Sequence, residues 1–246
     1  MQQIFIRQED IIDNRIRVIG EDANHLGKVL RMKAGEKLRV STDTEKNYLC
    51  EVSGFKADEV ELTILEEADN TEPSISMTLY QAIPKGDRME TVIEKAVELG
   101  ISRIIPVEMK FCVVKLDDRK KANRLQRWQK IAETAARQSK RSKVPEVGPV
   151  MTFREVLLDM EGQDLNLVPY ENALGMRYTK EVLESIEPGM SVAMLVGPEG
   201  GFAPEEIEAA GDKGKIISLG KRILRTDTAA IMMAGLVMMQ SEYAED

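Results

Sequence analysis

Apolar and polar positions change their rhythm once along the 246 residues of the chain. Through the first 70 or so residues, apolar side chains alternate with polar ones in short runs: "IFI", "RIRVIG", "KLRVST", "YLCEV" and "EVELTIL". Turn residues separate the runs, the pattern of strands that bury one face. One short helix, around Ala23 to Met32, is expected to interrupt them. The reading is a small β-barrel over residues 1–70, with an extension of the main sheet as the alternative. Glu66 to Ser74, "EEADNTEPS", is polar and without periodicity, and marks the boundary.

Over residues 75–246 strands and helices alternate. "SMTLYQAI" reads as a strand, and Asp87 to Leu99 as a helix with Met89, Val92, Ile93, Ala96 and Val97 on one face. Gly100 follows as its stop. "SRIIPVEM", "DLNLVPY", "SVAMLV" and "KIISLG" are further buried strands, with helices around Val156, Val182, Ile207 and the C-terminus. This predicts an α/β domain whose mainly parallel sheet is covered on both faces. Ligands of such sheets bind beyond the carboxyl ends of the strands. Three loops leave those ends: Pro169 to Asn172, Gly197 to Gly201, and Leu219 to Thr228.

The middle loop lies within "LVGPEGGFAPEE", where a strand empties into glycines and a proline opens an acidic helix start. That layout suits an anion, yet no Lys-Ser or Lys-Thr follows, so a nucleoside triphosphate is excluded. No GxGxxG occurs either, and Glu199 would repel a pyrophosphate. A cationic ligand such as a sulfonium or ammonium, or a substrate proton, suits that carboxylate better. The alternative is a plain tight turn with no ligand.

A net charge of -8 argues against nucleic acid as a partner, but its distribution does not. Between Arg119 and Lys143 the bases are Arg119, Lys120, Lys121, Arg124, Arg127, Lys130, Arg137, Lys140, Arg141 and Lys143, against Glu133 alone. Leu125, Trp128, Ile131, Ala132 and Ala135 share the other face of that helix. The basic face either tracks phosphates or is simply solvated. An apolar fraction of 43% and a charged fraction of 31% are those of a globular protein. The N-terminus has no apolar core of a secretory signal. The longest apolar run, Ala229 to Met239, is about half the ~20 residues of a membrane span, so no membrane partner is expected. Cys50, Cys112 and the lone His25 cannot make a standard zinc site, and a reducing cytoplasm is the simple reading.

The motifs "HLGKVLRMKAGEKL", "PKGDRMETVIEKAVELGISRIIPV" and "RWQKIAETAARQSKR" precede the pair "VGPEGGFAPEEIEAA" and "ISLGKRILRTDTAA". In this order they resemble the SPOUT superfamily of S-adenosylmethionine-dependent RNA methyltransferases. Within it, they are similar to the 16S ribosomal RNA uridine N3-methyltransferases (RsmE type). Arg137 departs from the pattern, standing where the family's "AAEQS" segment carries an acid.

The resemblance implies a PUA-like β-barrel followed by an α/β domain with a deep C-terminal trefoil knot. It implies S-adenosyl-L-methionine as cofactor and no metal. Leu195 of the preceding strand and Gly197, Pro198, Glu199 and Gly200 of the second loop would hold it, with Leu219, Gly220, Ile223, Leu224, Arg225 and Thr226 of the third. It implies a homodimer acting on 16S ribosomal RNA or the small ribosomal subunit. Ile231 to Met239, apolar on nearly every side, suits that interface or equally an internal core helix. Arg7, His25, Lys28, Arg31, Arg124, Arg127, Arg137, Lys140 and Arg141 are the candidate RNA contacts, with His25 either packing or touching RNA.

Uracil N3 carries a proton and attacks poorly until it leaves, at about 1.4 kcal/mol per pH unit of mismatch. A cation beside the pyrimidine oxygens would stabilise the anion, and Arg225 is the first candidate, unless it pairs Glu199 or Asp227 structurally. Glu199 and Glu171 are candidate proton acceptors. The rival readings are a ribose 2′-O-methyltransferase of the same superfamily and a non-catalytic RNA-binding assembly factor.

Overall fold

The computed structural model describes residues 1–173 and 175–244. The chain forms two compact units, residues 1–72 with 136–144, and residues 73–135 with 145 onward.

The first unit holds β1 (Gln2–Ile6), β2 (Ile11–Ile12), β3 (Arg15–Ile19), α1 (Gly20–Asn24), β4 (Lys37–Thr42), β5 (Asn47–Lys56) and β6 (Glu59–Ala68). They build a six-stranded sheet ordered β1-β4-β5-β6-β3-β2, separate from the sheet of the second unit. Only the β1–β4 pair is parallel. Alternation sets its inner face: Ile16 and Val18 of β3 meet Val60, Leu62 and Ile64 of β6 in one core with Leu38 and Val40. The helix starts earlier than the sequence pattern suggests. Gly20 adopts a left-handed φ of 70°, so the chain turns from β3 directly into α1, and a π-type turn over His25–Val29 seats Leu26 in the core.

Residues 136–144 complete this unit through one buried ion pair. The Arg141 guanidinium donates from Nε and Nη2 to the Glu72 carboxylate at 3.0 and 2.5 Å, and the two side chains are 4% and 7% exposed. Glu72 also accepts from the Ser142 amide at 2.7 Å, while Gln3 donates to the Arg141 carbonyl at 2.6 Å.

The second unit contains β7 (Ser76–Ala82), α2 (Arg88–Glu98), β8 (Arg103–Glu108), α3 (Asp118–Ser139), β9 (Glu146–Val147), β10 (Met151–Thr152) and α4 (Phe153–Asp159). It continues through β11 (Leu165–Pro169), α5 (Met176–Leu183), β12 (Ser191–Val196), α6 (Pro204–Gly211), β13 (Lys215–Ile217) and α7 (Thr226–Tyr243). The last residues of α3, from Ala136, belong to the first unit. The sheet runs β10-β8-β7-β12-β11-β13, every pair parallel, with β9 also on β8. Two-residue strands such as β9 and β10 are too short for periodicity to announce.

Tyr80, Ile105, Ala193 and Leu195 pack on one side of the sheet with Val156 of α4 and Ala210 of α6. α2 packs against α7, and α7 packs onto β7 and β12 of the sheet. α7 buries Thr226, Ala230, Met233, Ala234, Val237 and Ser241, a stripe at helical spacing. Ile231, Met232, Leu236 and Met238 stay half-buried, and Met239 is 47% exposed, so an apolar face remains partly uncovered.

Arg141→Ala leaves Glu72 buried without its cation and should destabilise the first unit by about 3–5 kcal/mol. Hydrogen exchange of the β4 and β5 amides measures this. A loss under about 1 kcal/mol, the value of a surface pair, would show that the pair is not what holds residues 136–144.

Candidate functional site

The loops after β11, β12 and β13 converge at the carboxyl edge of the second sheet. They enclose a cavity of about 440 Å³ lined by Pro169, Glu171, the stretch from Val196 to Phe202, Ile223 to Thr226, and Ala229. A smaller recess of about 80 Å³ adjoins it, adding Leu219, Gly220 and Arg222. Gly197, Pro198, Glu199, Gly200, Leu219, Gly220, Ile223, Leu224, Arg225, Thr226 and Glu171 are therefore brought together. Leu195 is not among them. It lies inside β12, fully buried, and packs in the core with Tyr80 and Ile105.

One polar relay holds the loops. The Thr226 hydroxyl donates to the Gly197 carbonyl at 2.7 Å and accepts from Gln81 Nε2 at 2.9 Å. Gln81 is fully buried near the end of β7 and also donates to the Ala82 carbonyl. β7, the second loop and the start of α7 are thus joined at one point. Gln81 was legible as a polar residue in the apolar run "SMTLYQAI", but nothing in the sequence tied it to Thr226.

The glycines serve close packing. A Cβ on Gly197 would come within 2.9 Å of the Phe202 ring, and one on Gly200 within 2.9 Å of Phe111 Cβ. Gly201 and Gly220 have φ of 73° and 109°, the left-handed region that other residues rarely adopt. Phe202 in turn meets Tyr170 edge-on, with ring centroids 6.3 Å apart. α6 starts at Pro204, and its buried Glu206 accepts from the Ala203 and Lys110 amides.

Glu199 is not a free proton acceptor. Its Oε1 accepts from the Lys85 amide at 2.9 Å and from Arg88 Nη1 at 2.6 Å. Burial pushes its pKa up, but these bonds and the Arg88 charge outweigh burial and hold it below the usual carboxylate range. Lys85 and Arg88 sit in the "PKGDRME" segment, and their part in the site had no signal beyond that motif. Arg225 pairs with neither Glu199 nor Asp227. It is exposed at the head of α7 and makes no side-chain hydrogen bond or ion pair among the described residues. Glu171 is exposed on the cavity wall.

The expected RNA contacts divide. Arg7, Lys28, Arg31 and Arg127 are exposed, with Arg7 beside Glu9 at 3.1 Å, Lys28 3.8 Å from Asp58 and Arg127 2.7 Å from Glu90. Arg124 lies over the Trp128 ring at 5.9 Å. His25 is half-buried in the turn after α1. Arg137 pairs with Asp22 at 3.1 Å, and Lys140 donates to the Arg137 carbonyl at 3.0 Å. Burial holds the Lys140 pKa below its ordinary value, with the Arg39 charge adding to the shift. Arg141 is a correction: its charge is consumed inside the first unit by Glu72, out of reach of a phosphate. Acids from distant elements, Glu108 at Lys121 and Glu90 at Arg127, temper the basic helix in a way its own sequence does not reveal.

Comparison with known proteins is consistent along the chain. The model of the RNA methyltransferase domain matches residues 71–238, and that of the RNA methyltransferase PUA domain residues 18–65. A ribosomal RNA small subunit methyltransferase E of Bacillus subtilis is 34% identical over 250 residues, covering 98% of each chain. Its counterpart of the same name in Mycobacterium bovis is 30% identical, over 89% of this chain and 84% of that one. The crystal structure of the enzyme of that name from Neisseria gonorrhoeae, bound to S-adenosyl methionine, is similar at a TM-score of 0.83 with 31% identity over 97% of each chain.

The Glu199 latch carries a pH signature. A carboxylate held below the ordinary value of about 4.3 stabilises fully above that value, and the contribution is lost as pH falls through the depressed one. Glu199→Gln should melt below the parent near neutrality, and the gap should narrow as the pH is taken down below the ordinary carboxylate value. Thermal melting of both proteins across that range measures it. A gap that does not change with pH would mean the charge is not what holds the loop.

Proposed function

We propose, from the premise that this chain belongs to the ribosomal RNA small subunit methyltransferase E family, that it methylates N3 of one uridine in 16S ribosomal RNA using S-adenosylmethionine. The observation that carries the reading is the convergence of three strand-end loops on one cavity with an unpaired arginine at its wall.

The lining suits a sulfonium nucleoside. Pro169, Ile223, Leu224 and Ala229 offer apolar surface for a purine, Gly197 and Gly200 leave the backbone bare, and the Glu171 and Glu199 carboxylates complement a positive sulfur. Glu199, anchored to Lys85 and Arg88, acts here as a fixed charge and a brace for the loop. When bound, S-adenosylmethionine supplies an electrophilic methyl carbon, so the bond to N3 forms as the carbon–sulfur pair returns to sulfur.

The chain's own part is to place the pyrimidine and ease the loss of its proton. Arg225 has no partner to satisfy among the described residues, and a guanidinium is a permanent cation. Beside a pyrimidine oxygen it lowers the cost of the N3 anion in the transition state more than in the ground state. Glu171, exposed on the same wall, takes the proton directly or through water. Holding the two reactants in line supplies much of the remaining rate.

The substrate reading extends to the small ribosomal subunit. Exposed Arg7, Lys28 and Arg31 of the first unit, with exposed Arg127 and half-buried Arg124 of α3, are the phosphate contacts of this reading. The partly uncovered apolar face of α7 supports a homodimer, because half-covered Ile231, Met232 and Leu236 gain cover from a second copy. A ribosomal RNA target places the protein in the cytoplasm, and no described helix is long and apolar enough to cross a membrane.

Arg225→Ala should lose at least about tenfold in the chemical step, roughly 1.4 kcal/mol, while RNA affinity changes little. Arg225→Lys should retain part of the activity. Raising the pH should rescue the alanine variant more than the parent, because solution deprotonation replaces the missing charge. Single-turnover methyl transfer across pH, at saturating RNA and cofactor, reads this out. Parallel pH profiles would make Arg225 structural.

A further inference from the structure

Phe111 stands beside the cavity without lining it. It lies at the tip of the turn that leaves the carboxyl end of β8, and its Cβ would touch any side chain placed on Gly200. The turn is anchored on both sides of the ring. Met109 and Cys112 are 2% and 4% exposed; the Cys112 amide donates to the Met109 carbonyl at 3.1 Å, and the Met109 amide donates to Cys112 Sγ at 3.4 Å. The Lys110 amide donates to the buried Glu206 carboxylate at 2.8 Å. Between these fixed points the Phe111 side chain is held 41% exposed, with Val113 at 63% just beyond.

Burying an aromatic ring is favourable, so a rigid turn that keeps one in water beside a functional loop calls for an occupant. The Lys110 ammonium lies 6.0 Å from the ring centroid but pairs with Glu205, so the turn chiefly offers a ring face rather than a free charge. A flat, uncharged surface at the rim of an RNA methyltransferase site matches an unpaired nucleobase, which stacks on aromatic side chains. Cofactor is not the occupant, because Phe111 is not among the residues that line the cavity that suits it.

We infer that Phe111 is the stacking platform for an unpaired RNA base at the mouth of the site, and so a substrate-positioning residue of this enzyme. The inference rests on the function proposed above. The stack holds the strand against the rim so that the neighbouring pyrimidine reaches the cavity, and its loss weakens RNA engagement rather than cofactor binding.

The test compares Phe111→Ala, Phe111→Leu and Phe111→Tyr with the parent. Methyl transfer from labelled S-adenosylmethionine to unmethylated small ribosomal subunits gives KM and kcat. Filter retention of labelled, unmethylated 16S ribosomal RNA free of protein, and titration of the cofactor, give the two affinities. Leucine keeps the packing on Gly200 but has no ring face. Alanine and leucine should both raise KM for the RNA about 5- to 150-fold, the effect of one lost base–aromatic stack, with kcat little changed. Tyrosine should behave as the parent, and cofactor affinity should stay within about twofold throughout. A leucine variant indistinguishable from the parent would overturn the inference, as would losses of RNA and cofactor affinity in step, which mean loop support. A shift of either variant from dimer to monomer would also overturn it, because the ring would then be covered by a second copy. A parent that transfers no methyl group refutes the proposed function instead, and filter retention still decides whether the ring holds RNA.

Discussion

The site depends on a single buried hydroxyl. Thr226 bridges the Gln81 amide and the Gly197 carbonyl, and so joins the end of β7, the loop after β12 and the first turn of α7. In water such bonds contribute little net free energy, but here the penalty for leaving any of these groups unpaired is high, because all are buried. The constraint therefore fixes geometry more than it adds stability. It holds the third loop over the second, and with it the position of Arg225, one residue before the threonine. An exposed arginine would otherwise be free to wander, but a head position on a tethered helix limits where its guanidinium can go.

Around that point the remaining parts are held by packing and by one set of bonds to Glu199. Two bare glycines meet two aromatic rings, Gly197 with Phe202 and Gly200 with Phe111. Glu199, between them, is tied to Lys85 and Arg88 on the segment after β7. The loop is thus braced from the segments that follow β7 and β8, and its acid is held ionised beside Arg88. That arrangement answers why a glycine-rich turn should carry a carboxylate at its centre.

Much of this was legible in the chain. The change from alternation to strand–helix repetition located both sheets, and the three loops at strand ends located the cavity, because both features are local in sequence. What escaped depended on contacts between distant residues. Arg141 reads as one more base in a basic run, yet Glu72 consumes its charge. Glu199 reads as a free acid until Arg88 is seen beside it. Leu195 reads as a cofactor contact at the end of its strand, yet its side chain turns into the core. Phe111 carries no motif at all, and its exposure is set by the anchors on either side. The short strands β9 and β10 lie below the length at which any period can be measured.

The return of residues 136–144 to the first unit has a consequence for the history of the molecule. A unit completed by a segment that lies beyond part of its neighbour in the chain cannot be excised as a cassette. A cut near residue 72 would separate Glu72 from Arg141, and the strands from the segment that satisfies Gln3 and Asn47. The two halves are therefore bound to change together.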